Sequence, residues 1–334
     1  MLKYLMTILA VFTVIVPTTV ADYQLTSQST AVFASVERAT EILTTPDDYI
    51  RQLGPVETAI RMDRPTPVTK KQFLDHIADN ILPWTKANKE IVTEALEAIA
   101  PRLHKLNVPL PSTVHLIKTT GKEDAGLAYT RHNAIVFHEI SANSRALQHV
   151  IAHELFHIIS RCNPKLRNRL YKIIGFQQCP TVQLPEDLYP ARITNPDAPL
   201  SEHCIRLTYQ GDTVYATPVL YADPNHYDRA RASNLFSYLQ FALLTIDPNE
   251  TGDSDAELSK SRPTQRLLQS NLTEGFFEQI GSNTPYIIHP EEILADNFAL
   301  LVLNQKDVPS PEILTEMQSV FAQYQPKTIC PQTQ

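Results

Sequence analysis

Two histidines and a glutamate interrupt an apolar run near the middle of the chain, VIAHELFHIIS (150–160). In a helix, His153 and His157 project from the same face one turn apart, which suits two ligands of one metal ion. Glu154 points toward the same edge, where it could hold a water beside the metal without ligating it. This HExxH spacing predicts a zinc site with a glutamate general base. A chance match, or two core histidines bonded to backbone carbonyls, is the alternative interpretation.

A third ligand is needed, because catalytic zinc usually takes three protein ligands and leaves the fourth position to water. One common arrangement uses a histidine six residues after the second, but that position is Asn163. The downstream segment YIIHPEEILADNFALLV has helical periodicity and carries Glu292 and Asp296 four residues apart on one face. We predict Glu292 as the third ligand and Asp296 as the acceptor for the other N–H of a ligating histidine. Alternatively, the glutamates only favour the start of the helix through its dipole.

Together, HELFH and EILAD resemble the HExxH and ExxxD motifs of the gluzincins, the clan of thermolysin-like metallopeptidases. The resemblance implies one zinc ion per chain, bound by His153, His157 and Glu292. It also implies that Glu154 is the general base and that Asp296 orients a histidine. It further implies a zincin-like fold and hydrolysis of peptide bonds in a peptide or protein substrate. The alternative is a catalytically inactive secreted binding module with a zincin fold. Because the two motifs lie much farther apart than in thermolysin itself, only the clan-level pattern carries over.

A peptidase of this kind also needs a hydrogen-bond donor for the developing oxyanion, generally a tyrosine or a histidine side chain. Tyr286, six residues before Glu292, is the first candidate, followed by His289 and His226. An ordinary buried tyrosine is at least as good an interpretation of Tyr286. The remaining histidines near the motif lack the right spacing and are interpreted as solvated or structural: His132, His138 and His149.

The N-terminus has the pattern of an export signal. A single lysine, Lys3, precedes an uncharged run over residues 4–16, then Pro17 and small residues ending at Ala21. This predicts a secretory signal peptide over residues 1–21, and an uncleaved membrane anchor is the alternative. We expect a secreted or periplasmic protein with no membrane contact after cleavage. The net charge of -7 argues against nucleic acid as a partner, and the oligomeric state stays open.

All four cysteines lie in the C-terminal half of the chain: Cys162, Cys179, Cys204 and Cys330. With an export signal, an even count predicts one or two disulfides rather than free thiols. Three pairings are possible, and the sequence does not choose among them. No CxxC spacing occurs, which disfavours a structural zinc site made of cysteines.

The fold class predicted from these patterns is α+β. Residues 22–108 are polar with helical periodicity, with Thr69 as a predicted N-cap, and indicate a helical N-terminal region, either a prodomain or a supporting lobe. Residues 109–334 are then the zincin-like metallopeptidase domain, a small sheet with an edge strand plus the active-site helices. Within it, LAYTRHNAIVFHE predicts a hairpin turning at residues 131–133. Its edge could bind an extended peptide through the backbone, although an ordinary core hairpin is an equal alternative.

Three segments farther along complete the prediction. HCIRLTYQGDTVYATPVLYAD indicates a second hairpin, turning at residues 210–212. LFSYLQFALLTID is ambiguous between strand and helix because its apolar run is short. The polar stretch 250–265 is expected to be an exposed loop.

Overall fold

The computed structural model describes residues 22–64, 68–182, 184–223, 226–228, 230, 235–246 and 265–325. The predicted signal peptide, Cys330 and nearly all of the predicted loop at 250–265 lie outside these ranges. None of the helices within them combines the length and the apolar content that crossing a bilayer requires.

The described residues form a mixed α+β structure, which confirms the predicted class. Its helices are α1 (Val36–Thr44), α2 (Asp48–Gln52), α3 (Pro55–Arg61), α4 (Lys70–Asp79), α5 (Lys86–Leu106), α6 (Ser144–Cys162), α7 (Pro164–Ile173), α8 (Phe276–Ile280), α9 (Pro290–Val302) and α10 (Pro311–Gln323). Its strands are β1 (Tyr23–Thr26), β2 (Ser29–Phe33), β3 (Ile81–Leu82), β4 (Thr113–Thr119), β5 (Tyr129–Arg131), β6 (Ala134–Phe137), β7 (Phe176–Gln178), β8 (His203–Tyr209), β9 (Asp212–Ala222), β10 (Leu239–Ile246) and β11 (Leu267–Leu268).

The first sheet has six strands in the order β1-β2-β4-β6-β5, with β3 paired to β4. Strands β2, β4 and β6 run parallel, whereas β5 pairs antiparallel with β6 and forms an edge. Side chains alternate between the two faces of a strand. Ile135 and Phe137 therefore join the core under α5 and α6, while Ala134 and Val136 join the core under α1 and α4. The predicted hairpin at residues 131–133 is confirmed.

The second sheet has five antiparallel strands in the order β11-β10-β9-β8-β7. Its β8–β9 hairpin confirms the predicted turn, where Gln210 and Gly211 both adopt positive φ. The ambiguous segment LFSYLQFALLTID supplies β10, which pairs with β9 along its whole length. The short apolar run did not distinguish a strand from a helix, and its pairing with β9 shows that it forms a strand.

Residues 22–108 are not purely helical, so that prediction is incomplete. Helices α1 to α5 lie there, and Thr69 caps α4 in a capping box with Gln72, as predicted. The hairpin β1–β2 and strand β3 also lie there and belong to the first sheet. Ala31 and Phe33 of β2 share one core with residues of α5, α6 and α9. The region is therefore joined to the rest of the chain by a common sheet and core, and a prodomain role stays a prediction.

Helices α6 and α9 pack against each other in that core, where the rings of Phe156 and Phe298 lie 5.7 Å apart. The side chain of Asn143 caps α6 by accepting a hydrogen bond from the backbone N–H of Ala146. Helix α9 starts at Pro290, whose missing N–H costs nothing at a first helical position. These two helices carry both predicted motifs.

Candidate metal centre

The structure brings the three predicted metal ligands together. One nitrogen of His153, one nitrogen of His157 and one carboxylate oxygen of Glu292 all lie within 4.8 Å of one another. Glu292 Oε2 is 3.0 Å from His153 Nε2 and 3.6 Å from His157 Nε2. Two helices far apart in sequence therefore point three donor atoms at one location.

The Nδ1 atom of each histidine is hydrogen-bonded to a carboxylate of α9. His153 Nδ1 donates to Asp296 Oδ1 at 2.8 Å, which is the contact predicted for Asp296. His157 Nδ1 donates to Glu291 Oε1 at 3.0 Å. These bonds leave the Nε2 atom of each ring facing Glu292, the tautomer that a metal ligand needs.

The donor set fits a zinc ion. Both nitrogens of His153 face carboxylate oxygens, yet a neutral imidazole carries only one N–H, so a proton or a metal ion belongs at Nε2. His157 Nε2 and Glu154 Oε2 are buried without a hydrogen-bond partner among the described residues. Ligand atoms at a tetrahedral angle around zinc lie about 3.4 Å apart. The two measured distances to Glu292 Oε2, 3.0 and 3.6 Å, bracket that value.

The charges at the site depend on what compensates its carboxylates. Burial lowers the pKa of His153, but hydrogen bonds to Asp296 and Glu292 outweigh it and raise that pKa to about 10. Burial likewise raises the pKa of Glu292, but the charge of His157 outweighs it and holds that pKa well below its usual value. Without metal, the histidines are thus held protonated. A divalent cation would satisfy the same carboxylates and leave neutral imidazole ligands.

Glu154 lies in the wall of a cleft of about 410 Å³ that also exposes His153 and Glu292. Burial, and then the negative charge of Asp197, raise the pKa of Glu154 to about 8. The glutamate is therefore a strong proton acceptor once it is ionised. The rest of the cleft wall is largely apolar and includes Leu127, Val150, Ile193, Leu220, Phe236 and Ile288.

Of the candidates for the oxyanion donor, only Tyr286 lies in this cleft. Its ring stacks on that of His153 with centroids 6.4 Å apart. His289 is instead buried at the start of α9, where its Nδ1 accepts a hydrogen bond from the backbone N–H of Glu291 at 3.0 Å. His226 is exposed and does not line the cleft. Their positions outside the cleft favour Tyr286 over His289 and His226.

The three histidines predicted to be solvated or structural have different outcomes. His132 lies on a turn with φ of 53°, as predicted. His138 packs against Gly121 so closely that a Cβ there would come within 2.7 Å of the His138 Cβ, which indicates a structural role. His149, however, lines the cleft, and its Nε2 donates to Asp296 Oδ1 at 3.3 Å. The His149 side chain is 36% exposed, in line with the prediction. The statement that it lacks the right spacing was wrong, because it lies one turn before His153 on α6.

Sequence reasoning missed three other residues of the centre. Glu291 was treated only as a helix-start residue, although the Glu-Glu pair was a signal for it. Asn195 donates from Nδ2 to Glu292 Oε1 at 2.6 Å. An oxygen of Asp197 lies within 4.8 Å of ligand atoms of Glu154 and His157. Both come from a loop without periodicity, so no sequence pattern could have placed them.

The cysteines partly match their prediction. Cys162, the last residue of α6, is disulfide-bonded. Cys179 and Cys204 are buried in one small apolar cluster beside the second sheet. Cys330 lies outside the described residues, so the choice among the three pairings stays open.

Comparison of the chain with protein-family models, with curated protein sequences and with solved structures finds no match.

Proposed function

We propose that this chain is a zinc metallopeptidase of the gluzincin type, acting on a peptide or protein substrate. The observation that carries the proposal is the convergence of His153, His157 and Glu292, with Glu154 buried beside them and lacking a hydrogen-bond partner among the described residues. A purely structural histidine pair would not need Glu154, since burying a carboxylate without a partner is costly.

The position of the edge strand supports a zincin-like fold for this site. Helix α6 packs against the first sheet beside β5, the antiparallel edge. The same cleft exposes Tyr129 of β5 and Glu154 of α6. A strand edge next to the metal helix is the arrangement that the resemblance to gluzincins implies.

In the proposed reaction each side chain has a separate task. A bound zinc ion would supply Lewis acidity, polarising a carbonyl and lowering the pKa of a bound water. Glu154 takes the proton of the attacking water at its carboxylate and delivers it to the leaving amine nitrogen. Tyr286, stacked on His153, is the donor for the developing oxyanion. Asp296 and Glu291 keep the two histidines in the ligating tautomer.

We also propose that the protein is exported. The N-terminal pattern and the disulfide at Cys162 support an oxidising compartment. N-terminal sequencing of the protein from its native host tests this. A mature chain starting at Asp22 supports cleavage, whereas one that retains residues 1–21 favours the membrane anchor.

Metal analysis and peptide cleavage test the function together. The wild type is expected to bind one zinc per chain and to cut a mixed peptide library, with activity lost to a chelator and restored by zinc. His153→Ala and Glu292→Ala should lose zinc and activity together. Glu154→Gln should keep zinc and lose activity by about a thousand-fold, since general acid–base catalysis contributes roughly 10²–10⁴-fold.

His226→Ala is the matched control, because His226 is exposed and outside the cleft. Its zinc content and activity should equal those of the wild type. Zinc content that survives both ligand changes would overturn the metal assignment. Zinc bound through His153 with no peptide ever cut would instead support the alternative, a catalytically inactive zincin-fold binding module.

A further inference from the structure

The outer edge of β5 is occupied by a side chain of the same molecule. Strand β5 pairs with β6 on one side only. On the other side, the backbone N–H of Thr130 donates to Asp197 Oδ1 at 2.7 Å. An extended peptide that adds to an edge strand bonds to this kind of backbone group. Asp197 therefore takes the place that a substrate backbone would need at the middle residue of β5.

Several hydrogen bonds hold Asp197 in that place. The Thr130 hydroxyl donates to the same Oδ1 at 2.5 Å. The backbone N–H of Asp197 donates to Asn195 Oδ1 at 2.9 Å. Arg161 donates to the carbonyl oxygen of Asp197 at 3.3 Å and to the Thr130 hydroxyl at 2.8 Å. The contact between the loop and β5 is thus stabilised by residues of both and by Arg161 of α6.

Asp197 also lies within the proposed catalytic cleft. It lines the cleft beside Glu154, and one of its oxygens is within 4.8 Å of ligand atoms of Glu154 and His157. A peptide lying along β5 with its scissile bond near Glu154 would therefore meet the Asp197 carboxylate.

We infer that Asp197 is a specificity-determining residue that competes with an extended peptide for the backbone N–H of Thr130. The inference rests on the proposed function. It implies that the natural substrate is a segment able to form strand-like hydrogen bonds with β5, because a backbone carbonyl oxygen lying along β5 can replace the carboxylate as acceptor. Short ligands that touch only the metal do not have to displace Asp197.

Steady-state kinetics of zinc-loaded variants test this competition. Asp197→Ala should lower KM for an extended decapeptide by about ten-fold, the effect of removing one competing charge-assisted hydrogen bond. Zinc should stay at one per chain, and kcat is recorded separately from KM because Asp197 lies beside Glu154. Asp197→Asn keeps an Oδ1 acceptor without the charge. Its KM should therefore lie between that of the wild type and that of Asp197→Ala. Asp187→Ala, an exposed aspartate of the preceding segment, is the control and should leave KM unchanged.

Two further measurements keep the test decisive if Asp197→Ala does not fold. Thr130→Val keeps the backbone N–H but removes the hydroxyl that holds Asp197, so KM should fall by about three-fold. In the inactive Glu154→Gln background, the dissociation constant of the same decapeptide should fall with Asp197→Asn, whereas that of acetohydroxamate, which reaches only the metal, should not change.

The outcomes separate the two proposals. Zinc binding and cleavage that persist while Asp197→Ala leaves KM unchanged or raises it would overturn the competition alone. Equal effects of Asp197→Asn and Asp197→Ala on KM would assign the change to the lost charge near Glu154. That result would also overturn the competition. Absence of both His153-dependent zinc and peptide cleavage would overturn the proposed function, and this inference with it.

Discussion

Replacing Glu291 with glutamine tests whether the carboxylate behind His157 is part of the metal centre. Glu291 is 2% exposed and accepts hydrogen bonds from His157 Nδ1 at 3.0 Å, from Ser160 Oγ at 2.7 Å and from the Tyr171 hydroxyl. Glutamine offers one acceptor oxygen and an NH₂ group in nearly the same volume. At least one of the three donors then loses its acceptor, while the packing of α9 stays the same.

The expected loss follows from these contacts. Removing an outer-shell carboxylate from a zinc-ligating histidine typically costs 10- to 100-fold in metal affinity, or about 1.4–2.7 kcal/mol. The lost charge-assisted hydrogen bond should also lower the free energy of unfolding of the metal-free protein by about 2 kcal/mol. Glu291→Gln should therefore bind zinc weakly, yet keep activity near that of the wild type when zinc is saturating, since Glu154 and the three ligands are unchanged.

Competition with a chromophoric chelator measures the zinc dissociation constant, and urea denaturation with excess chelator measures stability. Glu316→Gln, a change of the same kind on an exposed face of α10, is the control and should shift neither quantity. If Glu291→Gln binds zinc as tightly as the wild type, Glu291 does not orient His157 for a metal. If stability falls without any loss of affinity, its role is limited to the core.

Two further predictions concern the cleft and the pH dependence. Tyr286→Phe should keep both the stacking on His153 and the bound zinc. It should lower kcat by about 10²-fold with little change in KM, because removing one oxyanion donor lowers kcat by roughly 10²–10³-fold. An unchanged kcat would leave Tyr286 an ordinary cleft residue. The pH dependence follows from His153, whose pKa rises to about 10 in the metal-free fold. The stability that its positive charge contributes is complete below its unfolded pKa of about 6.5. That stability is lost as the pH rises toward 10. The difference in unfolding free energy between zinc-loaded and chelator-treated protein should therefore widen over that range, by up to about 1.4 kcal/mol per pH unit, and a constant or shrinking difference would contradict the account.

The elements with strong periodicity were predictable from the sequence. Most side chains of α9 and of the middle of α6 are buried, and both motifs were found in these buried stretches. The predicted N-cap Thr69 also marks a helix start correctly. By contrast, YQLT and STAVF are too short to show a period, and the pairing of STAVF with β4 depends on a contact about 80 residues away.

The inner part of the site was predictable and the outer part was not. Spacing of four residues identifies His153 with His157, and Glu292 with Asp296, because a helix fixes where such side chains meet. Asn195 and Asp197 reach the site only because the loop that bears them crosses the cleft, which depends on tertiary packing. His149 has the same spacing to His153 as His157 has. Its hydrogen bond is to Asp296, and its ring nitrogen lies within 4.8 Å of ligand atoms of both His153 and Asp296.

Helix α9 supplies three carboxylates that reach His153 and His157 from different sides, and its geometry explains how. Successive residues of an α-helix are about 100° apart around the axis, so Glu291 and Glu292 face different directions. Glu292 faces both Nε2 atoms, while Glu291 reaches behind His157. Asp296 returns to nearly the face of Glu292 one turn later and reaches His153 Nδ1.

Three carboxylates in a helix whose other side chains are mostly buried and apolar would be strongly unfavourable without compensating positive charge. The described residues around them offer that charge chiefly through protonation of His153 and His157, which removes the lone pairs that a ligand needs. A divalent cation compensates the same carboxylates and leaves the histidines neutral. The burial of α9 therefore requires positive charge at this position, which the proposed metal ion would supply.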